Sequence, residues 1–176
     1  MAYRPSLLLL TFLYSFMGYS YYGVQDFSKA NNEIKALVFL SSVCPCSQSH
    51  IEHLHDLQKA YPNLKIFGVM TDHYDKDSRG RVDQYYKASK MKIPIIKDVE
   101  QRLIKEYKAL KTPHVVLLKR NTAGDYEILY EGGVSNHRKF SRSKKKFLQE
   151  NLMALKNKEP LPYQHGKSLG CYIRRL

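Results

Sequence analysis

Tryptophan is absent from this 176-residue chain, cysteine occurs only three times, and 16 acidic residues face 29 basic ones. Three cysteines cannot build the dense cross-linked framework of a disulfide mini-protein. No segment recurs at a fixed period, which excludes a solenoid or propeller. There is no Gly-rich phosphate loop and no Ser/His/Asp hydrolase signature. What is present is ordinary for a folded domain: 43% hydrophobic and 26% charged residues, a balance that excludes wholesale disorder. The length suits one domain rather than two.

The positive charge is uneven. Residues 134–176 hold 11 Lys and Arg against two acidic residues, among them Arg138, Lys139, Arg142, Lys144, Lys145 and Lys146. Such a basic region fits an acidic partner or an anionic membrane surface. At the other end, Arg4 precedes an uncharged stretch from Ser6 to Tyr22 that contains Leu7 to Leu10 and Phe12-Leu13. Gly18-Tyr19-Ser20 supplies small residues at the spacing of a cleavage site. Residues 1–22 therefore read as a signal peptide or N-terminal anchor. The expected location is exported, periplasmic or extracellular, with possible anchoring by this segment. Export removes nucleic acid as a partner, despite Arg79-Gly80-Arg81 and the lysine run.

From residue 35 short apolar runs alternate with helical periods. Ala36 to Leu40, Ile66 to Met70, Val115 to Leu118 and Tyr126 to Tyr130 read as strands, the last two joined by a turn at Gly124. Ile93-Pro94-Ile95-Ile96 is short and Pro-broken, which predicts no more than an edge segment. Helices are expected from Ser47 through Tyr61, around Val82 to Ser89, from Val99 to Tyr107, and from Phe140 to Leu155. This order predicts an α/β domain with a central sheet covered by helices. After Pro160 and Pro162 an irregular basic tail, residues 159–176, carries Cys171.

Cys44-Pro45-Cys46 falls between the first strand and the helix after it. Backbone N–H groups at such a junction favour a thiolate, the species that attacks disulfides, reduces peroxides or binds soft metals. Cysteines one residue apart can cross-link, and the small ring would be readily reduced.

The stretch Val38-Phe39-Leu40-Ser41-Ser42-Val43-Cys44-Pro45-Cys46-Ser47, with Thr112-Pro113 ahead of an apolar strand, resembles thioredoxin-like proteins. The likeness is to their redoxin branch, the alkyl hydroperoxide reductase/thiol-specific antioxidant group. Gly132-Gly133-Val134-Ser135-Asn136 and the terminal Gly170-Cys171-Tyr172-Ile173 resemble late motifs of an exported redoxin subfamily. The resemblance implies a thioredoxin-like fold over residues 23–158, a central mixed sheet flanked by helices. It implies thiol–disulfide exchange with a protein thiol or disulfide as partner, and no cofactor. Cys44 would attack, Cys46 or Cys171 would resolve, Pro113 would be a cis-proline shaping the substrate groove, and Ser41 would support the thiolate. Thiol peroxidase activity is an alternative: Ser41 stands three residues before Cys44, while Leu37 stands where such enzymes carry a proline.

A second alternative is a copper or zinc metallochaperone on the same fold. Two thiolates and an imidazole are ligands that copper or zinc accepts. Cys44, Cys46, His50 and His114 are the candidates, since His50 lies one helical turn beyond Cys46.

Overall fold

β-Branched, aromatic and leucine side chains dominate the segments that become the sheet, and every second residue of each strand faces the same side. The computed structural model describes residues 21–22, 24–72, 84–86 and 91–176. In chain order its elements are β1 (Tyr21–Tyr22), α1 (Val24–Lys29), β2 (Ile34–Leu40), α2 (Pro45–Gln48), α3 (Ile51–Ala60) and β3 (Leu64–Met70). There follow β4 (Ile95–Lys97), α4 (Arg102–Glu106), β5 (Lys111–Thr112), β6 (His114–Arg120), β7 (Tyr126–Gly132), α5 (Phe147–Asn157) and β8 (Cys171–Tyr172). Six strands form one sheet in the order β1-β4-β3-β2-β6-β7, and β5 pairs with β8 in a separate two-stranded ribbon. The pairings β1–β4, β4–β3 and β3–β2 are parallel, whereas β2–β6 and β6–β7 are antiparallel.

Both faces of the central strands are buried, which explains why β2 reads as an unbroken apolar run. Ala36, Val38 and Leu40 point into one cluster with Leu54 and Leu57 of α3 and Leu148 and Leu152 of α5. Leu37 and Phe39 point into the other, with Phe27 of α1, Leu103 and Ile104 of α4, and Ile173. Lys35 shares the face of Leu37 and is 1% exposed. Its Nζ donates to the Phe27 carbonyl at 2.9 Å and lies 3.9 Å from the centre of the Tyr126 ring, so this buried ammonium is both bonded and stacked.

Four expectations change. Ile95–Lys97 lies between β3 and β1 in the sheet, because Tyr21 and Tyr22 pair with Ile95 and Ile96. Thus two residues read as the end of the leader are strand, and β4 is not an edge. Residues 1–20 lie outside the described residues, as does most of the helix expected around 82–89, of which 84–86 are helical. No helix among the described residues is long and apolar enough to cross a membrane.

The helix after the cysteines is broken at Ser49-His50 into α2 and α3. Ser47 is not its cap; it is buried and accepts the Ser41 amide at 3.2 Å. The helix expected from Phe140 begins only at Phe147, after a single 3-10 turn at Phe140–Arg142.

The fourth change concerns the basic tail, which is docked along the domain. The Glu131 amide donates to Gln164 O, and Gly166 N donates back to Glu131 O. Gly132 adopts φ 146, and a Cβ there would overlap the Gly166 backbone, so the Gly132-Gly133 pair is what lets the tail approach. Beyond it, Cys171 pairs with Thr112, Ile173 enters the second core cluster, and Arg175 Nη2 donates to Ala109 O at 3.0 Å.

Candidate active site

β2 ends at Leu40, and its exit loop carries the cysteines. Ser41 Oγ donates to Asp72 Oδ1 at 2.7 Å, and the Ser42 amide donates to Asp72 Oδ2 at 2.8 Å. One carboxylate at the end of β3 therefore ties the loop to the neighbouring strand. Ser41 also accepts the Val43 amide on its hydroxyl, while its carbonyl accepts the Cys44 amide. Its hydroxyl shapes the loop and is committed to Asp72 rather than to the sulfur, which corrects the expected thiolate contact.

Cys44 occupies the cap position of α2 in extended conformation (φ −92, ψ 111), with Pro45 as the first helical residue. Proline suits that position because its missing N–H would have no partner there. The Thr112–Pro113 bond is cis. The Cys44 thiol donates to the Thr112 carbonyl at 3.5 Å, which sets the sulfur against the residue before that proline. Thr112 Oγ1 is buried and finds no partner among the described residues, leaving a hydroxyl available once the sulfur ionises.

All three cysteines are free thiols, and they meet here. Cys44 is fully buried, Cys46 is half-buried and Cys171 is exposed. Burial pushes the Cys44 thiol up, but the Cys171 thiol and Thr112 beside it, with the Ser47 and Cys171 amides, outweigh burial and bring it down to about 7. The neighbours move the other way. Cys171 is pushed up to about 11, first by its hydrogen bond to Cys44, then by burial and the charges of Cys44 and Cys46. Cys46 is raised by burial and then by Cys44, and Arg138 opposes the rise at both. The outcome is a division of labour: one sulfur ionises near neutrality while two neighbours stay protonated and donate to it.

Of the histidines considered as metal ligands, His50 is engaged at both ring nitrogens, whereas His114 Nε2 is buried without a partner among the described residues. His50 Nδ1 lies 2.7 Å from the Cys46 carbonyl, to which it must donate, and Nε2 then accepts from Ser135 Oγ at 2.8 Å. Both nitrogens are committed, and burial holds the ring below the usual histidine range. His114 Nδ1 is bonded to Ser168 Oγ at 2.8 Å. Among the described residues no cluster of three or more His, Cys, Asp or Glu could hold a metal ion.

Several residues that shape the site escape a reading of the sequence. Asp72 sits in a polar loop, and nothing in its neighbours announces a partner 31 residues earlier. Gly170 is required because a Cβ there would overlap the Thr112 carbonyl and come within 3.4 Å of Cys46 Cβ. Arg138 lay within the basic region but carried no signal pointing to the cysteines. His53, on α3 behind the site, is buried with Nε2 unpartnered among the described residues and stacks on Phe140 at 4.0 Å.

His53 also yields a prediction. Burial, with Lys146 and His50 nearby, lowers its pKa from 6.5 to about 4, against a small opposing effect of Asp56. Between those values the unfolded chain binds more protons than the folded one, so stability is complete above 6.5 and falls as the pH drops towards 4. Urea unfolding at about pH 5 is expected to show a lower midpoint than at about pH 7. His53→Phe should flatten that slope in part, because His50, His55 and His114 are displaced in the same direction. An unchanged slope in the variant would remove His53 from the account.

A four-stranded mixed core, β3-β2-β6-β7, with cysteines at a strand-to-helix junction opposite a cis-proline defines a thioredoxin-like redoxin. The chain belongs to the AhpC/TSA family, whose profile matches residues 21–148. It is thus an oxidoreductase of the redoxin class. No curated protein matches the chain significantly. Among solved structures, a hypothetical protein of Sinorhizobium meliloti is similar at 21% identity and TM-score 0.69, over 83% of this chain and 81% of that one. A conserved protein of Geobacillus kaustophilus is similar at 19% identity and TM-score 0.66, over 81% and 77%. A candidate thiol:disulfide interchange protein DsbE of Chlorobium tepidum is similar at 17% identity and TM-score 0.52, over 60% and 70%. These likenesses establish the fold.

Proposed function

We propose that the protein is an exported thiol–disulfide oxidoreductase in which Cys44 is the nucleophile and Cys46 or Cys171 the resolving thiol. The observation that carries this reading is that Cys46 and Cys171 both lie within reach of Cys44, with only Cys44 brought down to about 7. The Cys44 thiolate attacks one sulfur of a substrate disulfide. The other substrate sulfur leaves as a thiolate and takes up a proton, leaving a mixed disulfide. Cys46 or Cys171 then loses its proton and attacks the Cys44 sulfur, releasing the second substrate thiol. The enzyme ends as a disulfide, two electrons have passed to the substrate, and an external dithiol must reduce the enzyme again. The same steps run backwards oxidise a substrate dithiol.

Export rests on the leader-like composition of residues 1–22. The exposed cations Arg138, Lys139, Arg142, Lys144 and Lys145 support contact with an acidic partner or an anionic membrane surface.

Thiol trapping across a glutathione redox series, followed by mass spectrometry, tests the cycle. The expected result is a reversible two-electron disulfide joining Cys44 to Cys46 or Cys171. Thiols that remain reduced throughout, or a disulfide that never opens, would overturn it. The same spectra report the N-terminus, and a chain retaining Met1 after expression in its exporting host would argue against a cleaved leader.

A further inference from the structure

A cavity of about 260 Å³ lies where the docked tail meets the body of the domain. Lys108, Lys111 and His114 line it from the body, and Lys167 and Ser168 line it from the tail. No carboxylate shares the lining. Lys108 and Lys167 are exposed, and none of the three lysines has an ion pair among the described residues. Lys111 Nζ lies 4.4 Å from the centre of the Tyr172 ring, a contact that leaves its charge uncompensated. Glu131, the carboxylate that acts on His114, is 3.4 Å from His165 Nδ1. Three like charges around one hollow repel one another, and an anion between them reverses the sign of that interaction.

His114 supplies a separate observation. Its Nδ1 is bonded to Ser168 Oγ at 2.8 Å, while Nε2 is buried without a partner among the described residues. A buried polar atom in that condition calls for an explanation. Burial holds the ring below the usual histidine range, so at neutral pH a single nitrogen carries the hydrogen. With Ser168 donating to Nδ1, that hydrogen sits on Nε2 and needs an acceptor.

We propose that this cavity binds a small phosphate-type oxyanion, held by the ammoniums of Lys108, Lys111 and Lys167 and by the Nε2–H of His114. The choice of ligand follows from the lining. Planar carboxylates are matched by the fork of an arginine, whereas lysines act as point charges that suit a tetrahedral dianion with several accepting oxygens. The volume falls just below the roughly 300–1,000 Å³ of sites for drug-sized molecules, which suits a phosphate with little attached to it. Such an anion bridges two parts of the chain, since its ligands come from both tail and body. It would add to the hold that Ile173, Arg175 and Leu176 provide further on. Its binding is independent of the thiol–disulfide cycle.

Titration of the full, reduced chain with inorganic phosphate tests the site, with sodium chloride at matched ionic strength as the reference. Calorimetry follows binding, and the ¹⁵N signals of the His114 ring report where its hydrogen sits. The expected result is saturable one-site binding, with Nε2 taking the shift of a protonated nitrogen. Lys108→Gln and Lys167→Gln should each weaken binding on the order of tenfold, as for loss of one charged hydrogen bond. Lys29→Gln, which removes the same charge from an exposed position on α1, should leave it unchanged. Equal affinity in all three variants would overturn the site, as would saturable binding that leaves the His114 signals unmoved. Phosphate also raises the Tm of proteins in general by exclusion from their surface. A rise shared equally by the lysine variants, without saturable binding, would therefore count against the cavity.

Vesicles of phosphatidylcholine with and without phosphatidic acid identify the source of the phosphate. Saturable binding of inorganic phosphate assigns a free anion. If that binding is absent but phosphatidic acid vesicles retain the chain, with roughly tenfold loss in Lys108→Gln and Lys167→Gln, the ligand is a lipid headgroup. Failure of inorganic phosphate together with vesicle retention that is absent, or indifferent to both substitutions, would overturn the site.

Discussion

Cys44→Ser is expected to reduce turnover of a disulfide substrate by roughly 10³-fold or more, as happens when a nucleophile is removed from other enzymes. The hydroxyl of serine remains protonated at neutral pH and cannot form the mixed disulfide on which the cycle depends. The loss should come without loss of fold, because sulfur and oxygen differ little in size at a position where the main partner is the Thr112 carbonyl. In the unmodified chain, the rate of thiol alkylation should rise with pH through a midpoint near 7, where Cys44 ionises. Cys171→Ala removes the largest of the effects that favour the thiolate, so that midpoint should move up towards the ordinary value of 9.0. Stopped-flow alkylation of both chains measures it. An identical midpoint would mean that Cys171 plays no part in ionising Cys44. Substantial residual turnover in Cys44→Ser would place the nucleophile elsewhere.

The second large effect concerns stability. Phe39 is fully buried on β2, with its ring 6.5 Å from Tyr107 and 5.8 Å from His114, in the cluster that also receives Ile173. Phe39→Ala removes a whole ring from a site closed by rigid strands on both sides, which prevents collapse of the cavity. The cost should be about 3–5 kcal/mol. For a chain of this length that corresponds to a fall in Tm of about 10 °C or more. Calorimetry decides this, and a fall of only a few degrees would show that the second cluster repacks. The same variant should loosen the C-terminal segment, since Phe39 and Ile173 share that cluster.

The strands were legible in the sequence because burial on both faces leaves apolar runs that few other structures produce. Val115 to Leu118 is the clearest instance. The cysteine loop was legible because its residues are contiguous and chemically distinct. The resemblance carried Pro113, and its cis bond is present as that resemblance implies. What escaped was set by contacts between distant segments. The break at Ser49-His50 follows from His50 being held by Cys46 and Ser135, the latter 85 residues away. The internal position of β4 depends on two tyrosines whose composition matched the apolar leader before them. Lys35 read as a charge bounding a strand, since nothing local reveals that the Phe27 carbonyl and the Tyr126 ring will enclose it. The tail read as irregular because a ribbon of two residues leaves no periodicity. Gly170 and Gly132 are intelligible only once the backbone they lie against is known.

The contact between Gln164–Gly166 and Glu131–Gly133 has a consequence for solubility. β7 is the last strand of the six-stranded sheet, and such a strand offers unpaired amides and carbonyls to any other chain that can adopt an extended form. Here the protein supplies that partner from its own C-terminal stretch at the Glu131–Gly133 end of the strand, which shortens the edge open to self-association. The basic residues around this stretch add mutual repulsion between copies. A chain shortened before Gln164 would lose its third thiol and its edge protection together. Its failure would then show first as assembly into larger species rather than as a missing redox step.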